Sequence, residues 1–470
     1  MRSPSRRTFL KSAAASAAFS TFTIAGTKSS GKVLGANDVI RIGVAGLNGR
    51  GSAHINAFAG RKDAQVTYII DPDQRLFDGR IKQVEARGGN KPKAVQDIRT
   101  ALDDKELDVI TVATPNHWHS LIGIWACEAG KDAYVEKPCS HNIHESRILA
   151  DTARKHGRIV QHGTQRRTGD TVNKAKEIAG GGQGLLTHVR VKFFGRRNSI
   201  GLKKPQDPPT ELDYNLWLGP APLQAFHSNL VHYNWHWFWD FGGGEMANNG
   251  VHFLDLARWM IPNATLPNRV FSIGGRFGYK DQAQTPNTQI AVYDYGETIL
   301  TCEIRNLIKK GEYGITTHFD ENIKAEAVKV RGHKGVKHPL SDRGPGGDIF
   351  GNFLHAVRTR KSEDLDAHIL EGHYSTALCH LANISYRLGE EKPFSEKTKS
   401  LGDDKEIPEL FEKMRDHLKD NDVKLDESTY RVGRMLRLDV DKEEFIDDDE
   451  ANALLTRQYR APFTVPDKVS

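Results

Sequence analysis

At 470 residues the chain has the length of about three ordinary domains, and with 27% charged and 38% apolar residues it is neither a disordered nor a fibrous sequence. Its net charge of +6 resides wholly in the first 36 residues, where Arg2, Arg6, Arg7, Lys11, Lys28 and Lys32 meet no acid. The remainder is balanced, which removes the electrostatic footprint expected of a nucleic-acid partner.

The N-terminus reads Ser5-Arg6-Arg7-Thr8-Phe9-Leu10-Lys11 and continues as an Ala/Ser-rich, weakly apolar stretch to about Gly26. A twin arginine before a mild hydrophobic region reads as a Tat signal over residues 1–36, with cleavage after Ala25 or Ala36, and predicts an exported, periplasmic protein. That stretch is too short and too rich in Ser and Thr to span a bilayer, and no other approaches 18 apolar residues, so no stable membrane insertion is expected. Four cysteines, Cys127, Cys139, Cys302 and Cys379, fit neither a zinc pattern nor a dense disulfide framework. Cys127 and Cys379 lie in apolar helical contexts and are expected in the core. The chain has 20 histidines but no HExxH, and no metal site is expected.

From residue 38 to 165, short β-branched runs at 39–45, 65–70, 107–113, 132–135 and 158–161 alternate with amphipathic stretches such as 74–87 and 144–156. That alternation predicts parallel βαβ units in a doubly wound sheet. The first strand runs into Gly46-Leu47-Asn48-Gly49-Arg50-Gly51 and then a helical stretch. A dinucleotide loop needs small residues where the chain turns, where backbone approaches pyrophosphate and where helix packs on strand. Gly46 and Gly51 fill the outer positions. Asn48 holds the middle one with Gly49 beside it. Asp71 ends the second strand, 25 positions after Gly46, where a carboxylate would accept the ribose hydroxyls and repel a 2′-phosphate. NAD is therefore the expected cofactor and NADP is disfavoured. His117 and His119 are assigned to the loop after the strand 107–113.

Residues 166–470 differ in pattern. The segments 187–194, 270–276, 288–294 and 298–304 alternate with period two and predict an α+β domain with a largely antiparallel, open-faced sheet. Helices are expected over 246–260 and 367–388. The charge-dense stretch 403–450 reads as solvated helix and loop, and the tail 451–464 is expected to dock back through its apolar residues. The run Tyr233-Asn234-Trp235-His236-Trp237-Phe238-Trp239-Asp240 is unusually aromatic. It suits either a core cluster or a surface that stacks on the C–H face of a sugar, with Trp235 and His236 facing the pocket.

Three motifs carry a family resemblance: Ala113-Thr114-Pro115-Asn116-His117-Trp118-His119, then Val135-Glu136-Lys137-Pro138, then Gly242-Gly243-Gly244-Glu245-Met246-Ala247-Asn248-Asn249-Gly250-Val251-His252-Phe253-Leu254-Asp255. Together these resemble the Gfo/Idh/MocA oxidoreductases over roughly residues 38–395, a family acting mainly on sugars, inositols and glycosides. The resemblance implies a Rossmann domain followed by an α/β domain whose open sheet face builds homo-oligomers. It places Thr114, Pro115, Asn116 and His119, with Arg50 and Glu136, in the cofactor pocket, and Gln165 beside them. It makes Lys137 and His252 catalytic, with a cis bond between Lys137 and Pro138. The aspartate usual four positions before the histidine is Asn248 here. The implied set is therefore Lys137, His252 and Asn248, a neutral amide standing for a carboxylate.

Oxidising a secondary alcohol needs a hydride acceptor and a base. On a helix over 246–260, Asn248, His252 and Asp255 would share one face, with Asn248 orienting the His252 ring. Histidine suits proton abstraction at neutral pH. Lys137 would stabilise the developing charge on oxygen. Asp255 is expected to pair with Arg258 at the helix surface. The predicted function is exported, NAD-dependent oxidation of a sugar or glycoside, with a second sugar or an external electron acceptor regenerating the cofactor. A redox-neutral glycosidase working by C3 oxidation and elimination is one rival, distinguished by free aglycone and an unchanged cofactor. A sugar-binding protein with structural NAD is the other, distinguished by absence of cofactor reduction across a sugar panel.

Overall fold

The computed structural model describes residues 38–167, 185–307, 346–394 and 406–469, with short strand pieces at 326–327 and 330–331. The leader predicted over residues 1–36 lies outside them. Among the described residues no helix is long and apolar enough to cross a membrane.

Six parallel strands form the first sheet: β1 (Ile40–Ala45), β2 (Ala64–Ile70), β3 (Lys93–Val95), β4 (Val109–Val112), β5 (Asp132–Glu136) and β6 (Val160–Gly163), in the order β3-β2-β1-β4-β5-β6. β1, β4, β5 and β6 are almost continuously buried, as strands covered by helices on both faces must be. Helices α1 (Gly49–Phe58), α2 (Phe77–Gly88), α3 (Ile98–Leu102), α4 (Asn116–Glu128) and α5 (Ile143–Lys155) connect them. The strand order reverses between β1 and β4, the place where an open α/β sheet leaves a crevice for a ligand. Two expectations are corrected here. β3 was missed because it is three residues long with an exposed first lysine. His117 and His119 belong to the first turn of α4 rather than to a loop, since Pro115 ends the extended chain and the helix begins at once.

The second sheet is mixed. β7 (His188–Phe194) runs parallel to β10 (Ile299–Arg305), which pairs antiparallel with β9 (Thr288–Asp294), itself antiparallel to β8 (Arg269–Gly275). Its inner face packs on α6 (Val251–Met260) and α7 (Ile369–Arg387), with Val191, Val270, Tyr293, Leu300 and Cys302 in one core beside Leu254, Leu378 and Cys379. All four cysteines are buried and free.

The face expected to be open is covered over β8 and β9. Phe271, Ile273, Ile290 and Val292 pack against Leu410, Phe411, Met414 and Leu418 of α8 (Glu406–Asp420). The charge-dense segment is thus only half solvated, because its apolar stripe falls on one helical face. The strands Thr429–Val432 and Leu436–Asp439 that follow it also join the sheet, both on β8. The tail docks as expected. Phe463 is 2% exposed, edge-on to Trp118 of α4 with centroids 5.3 Å apart and beneath the Arg99 and Arg460 guanidinium groups. The tail thereby braces the helix whose first turn faces the crevice. Phe463→Ala should lower unfolding stability by about 3 kcal/mol or more in urea titration, the usual cost of emptying a buried aromatic site. A loss below about 0.5 kcal/mol would show that the tail only rests on the surface.

Candidate active site

At the end of β1, Gly46 takes φ 83°, and a Cβ there would lie 2.5 Å from the Ala113 carbonyl carbon of the neighbouring strand end. A Cβ on Gly51 would sit 1.7 Å from the Gly46 carbonyl oxygen, so helix and turn touch through glycine. Asn48 precedes α1 without a side-chain cap, which leaves the first-turn amides of Gly49, Arg50 and Gly51 for an anion. Asp71 is buried in the wall of the same cleft, accepting from the Leu47 amide at 2.8 Å and the Asp73 amide at 3.0 Å. Burial raises its pKa to about 6 against the pull of those two bonds. A turn closed by glycine, uncapped helix amides and an acceptor carboxylate fit the pyrophosphate and ribose of a dinucleotide.

The cleft has a volume of about 280 Å³ and runs from this turn past Thr114, Pro115, Asn116 and His119 to Glu136, Lys137 and Asn248. Arg50 and Glu136 enter it as a pair, Nε to Oε1 2.6 Å. Burial would raise the Glu136 pKa, but the hydrogen bond from His54 and the charges of Arg50 and Lys137 hold it far below the usual carboxylate range. Gln165 stands outside the wall and donates to Glu136 Oε1 at 3.1 Å, so it supports the pocket from behind. His119 ties the loop to the lysine turn, its ring nitrogens 2.6 Å from the Pro138 carbonyl and 2.7 Å from that of Thr114.

At the other end, the Lys137–Pro138 peptide is cis. Lys137 Nζ donates to the Asn248 carbonyl at 2.8 Å and to its Oδ1 at 3.3 Å. An ammonium has three N–H groups, so one is left for a ligand in the cleft. Burial lowers the Lys137 pKa, while Glu136 and Glu245 oppose the shift. Asn248 lies in a π-helical turn, Met246–Gly250, that leads into α6. The expectation that Asn248 orients His252 is corrected: its Oδ1 faces Lys137 and its Nδ2 donates to Glu245 at 3.4 Å. His252 stands outside the cleft wall, 8% exposed, with a buried Nδ1 that has no hydrogen-bond partner. Burial first, then the charges of Lys137 and Arg166, push its pKa well below the ordinary histidine value. His236 is in the wall and stacks on Trp235, centroids 3.6 Å apart and planes 18° from parallel. Its Nδ1 is 2.6 Å from the Tyr233 carbonyl, which fixes the proton on Nδ1 and leaves Nε2 an acceptor, and burial lowers its pKa to about 3.

The sequence reading missed Gln96, Trp217, His232 and Tyr233, which also line the cleft. Gln96 follows the undetected β3, and Trp217 sits on a five-residue helix, Tyr214–Leu218, inside a segment without clear periodicity. Glu245 and Arg197, whose ion pair abuts Asn248, were also missed. Asp255 is corrected too. It is fully buried and held by Arg167 Nη2 at 2.6 Å and Ser375 Oγ at 2.6 Å, while Arg258 pairs with Glu371.

A Rossmann sheet with a dinucleotide turn, joined through Lys137 to a second α/β domain, defines a two-domain NAD-binding oxidoreductase. Residues 40–164 match the family model described as an oxidoreductase family, NAD-binding Rossmann fold, and residues 190–420 match its C-terminal alpha/beta domain. The chain belongs to the Gfo/Idh/MocA oxidoreductases. Among curated proteins it is similar to a glycosyl hydrolase family 109 protein of Shewanella pealeana, 30% identical over 135 residues, which is 28% of this chain and 30% of that one. A second such protein, from Shewanella baltica strain OS155, is 28% identical over 169 residues, 32% of this chain and 37% of its own length. The chain thus matches only about a third of the length of these relatives. In fold it is similar to the WlbA dehydrogenase from Bordetella pertussis, solved with NADH and UDP-GlcNAcA, at TM-score 0.50 and 18% identity, covering 73% of this chain and 96% of that one.

Asp71→Asn keeps an acceptor for the Leu47 amide but removes the charge beside the ribose. Titrated into cofactor-free protein, NAD should bind about tenfold more weakly and the discrimination against NADP should shrink. NADP binding as poor as in the wild type would place Asp71 away from the ribose.

Proposed function

We propose that the protein is an exported oxidoreductase moving a hydride between a secondary hydroxyl carbon of a sugar or glycoside and a tightly held NAD. The observation that carries this reading is the convergence, in one cleft, of the dinucleotide turn, a lysine with one free N–H, and an aromatic–imidazole stack. NAD, when bound, supplies the hydride acceptor. The residues do the rest. Lys137 hydrogen-bonds the reacting hydroxyl and offsets charge as it grows on oxygen. A neutral imidazole takes the hydroxyl proton. The family position assigns this to His252, kept uncharged by burial and by Lys137. Trp235 and His236 offer a flat face to the ring C–H groups. The balanced charge of the chain beyond its leader suits a neutral sugar. The twin-arginine leader supports passage of a folded protein with its cofactor in place, and a periplasm without free NAD favours retention through many turnovers, with a second sugar or an external acceptor taking the electrons.

The glycosyl hydrolase family 109 relatives favour a second reading. The same first step at C3 would be followed by elimination of the aglycone, addition of water and return of the hydride, with no net redox. Free aglycone with the cofactor unchanged would select it.

The test of the shared first step is rapid mixing with a panel of sugars and glycosides, following reduction of bound NAD. Lys137→Ala should retain NAD yet lose hydride transfer, because Lys137 acts on the hydroxyl while Asp71 and the turn hold the dinucleotide. His252→Asn should slow the step ~10²–10⁴-fold, the contribution of a positioned base. Near wild-type reduction in Lys137→Ala overturns the mechanism. A slow His236→Asn beside an unimpaired His252→Asn would move the base to the cleft wall.

A further inference from the structure

Glu245 is the most enclosed carboxylate beside Asn248. It is 1% exposed and accepts from Arg197 Nε at 2.8 Å and Nη2 at 3.1 Å, from Asn306 Nδ2 at 3.3 Å, from Asn249, and from Asn248 Nδ2 at 3.4 Å. The last of these fixes which way the Asn248 amide points. With Nδ2 toward the carboxylate, Oδ1 must face the Lys137 ammonium, beside the Asn248 carbonyl that the same Nζ already meets. Position 248 therefore has to donate on one side and accept on the other. Asparagine does both, whereas an ionised aspartate only accepts and would set two carboxylates against each other.

We propose that Glu245, anchored by Arg197 and three residues before Asn248, is the positioning carboxylate of this site and acts on Lys137 through the Asn248 amide. The inference rests on the reading that Lys137 works on the substrate hydroxyl, but its test needs no turnover. The groups whose charge reaches Lys137 are Glu136 at the end of β5, Arg50 of α1 and Glu245 before α6; the Cys379 thiol of α7, kept protonated by burial, and the uncharged imidazoles of His119, His236 and His252 also face it. Burial drives Lys137 toward its neutral form and the two glutamates oppose this. Glu245→Gln removes one of those two charges without changing the shape of the contact.

The experiment is competitive labelling of the purified holoprotein with acetic anhydride across the lysine titration range. Peptide mass spectrometry reads the Lys137 midpoint, and parallel thermal melts read stability. Glu245→Gln should lower the midpoint by about one pH unit. Asn248→Asp should lower the melting temperature at about pH 8, and the deficit should shrink toward about pH 5, because two facing carboxylates share a proton and the stability they permit is lost as pH rises through their raised pKa. The double variant Glu245→Gln/Asn248→Asp puts a single carboxylate back beside Lys137 and should restore both midpoint and melting temperature. An unchanged midpoint in Glu245→Gln, an Asn248→Asp protein as stable as wild type at both pH values, or a double variant no better than either parent would each overturn the proposal. Should Glu245→Gln not fold with Arg197 unpaired, the Asn248→Asp melts decide alone. Failure of the functional reading would appear separately, as hydride transfer persisting in Lys137→Ala.

Discussion

The contact between the Lys137 ammonium and Asn248 is the one on which the site depends. Lys137 directly follows β5 of the first sheet and Asn248 sits in the π-helical turn that leads into α6 of the second domain. One hydrogen-bonded cation therefore joins the two domains at the cleft. The surroundings keep it in place: the buried Glu136 carboxylate, held by Arg50 and His54, stands behind it, and the buried Glu245 carboxylate, held by Arg197, stands across from it. Buried charges of this kind persist only where each is paired, and a loss on either side leaves an uncompensated ion.

Much of this was legible in the sequence because the responsible residues act locally. Gly46 and Gly51 announce a turn where any Cβ would collide, Asp71 ends a strand, and Lys137 precedes a proline. The substrate side was less legible. The spacing of Asn248 and His252 suggests a helical neighbour pair, but a carboxylate three residues earlier claims the amide first. No local pattern marks Glu245, whose partners Arg197 and Asn306 lie 48 and 61 positions away in the chain. The cover over the sheet was hidden for a related reason. Leu410, Phe411, Met414 and Leu418 make an apolar stripe, yet the dense charges around them read as a solvated segment.

That cover separates this chain from the arrangement its family resemblance implies. The apolar residues of β8 and β9 are buried against the chain's own helix, so that patch is not free for a second subunit. The same C-terminal region supplies strands to the sheet and a tail whose Phe463 packs on Trp118, itself part of the cleft wall. Segments that looked peripheral in composition thus brace both domains around the cleft.

The central claim is that a carbon-bound hydride of a sugar passes to a cofactor held in this cleft. The direct measurement is mass spectrometry of the small molecules released on denaturing the purified protein, before and after incubation with ring-deuterated sugars and glycosides. The account predicts NAD in the first sample and, in the second, reduced cofactor carrying deuterium together with the oxidised sugar. Release of no dinucleotide, or of NAD with no label and no altered sugar across the panel, would contradict it.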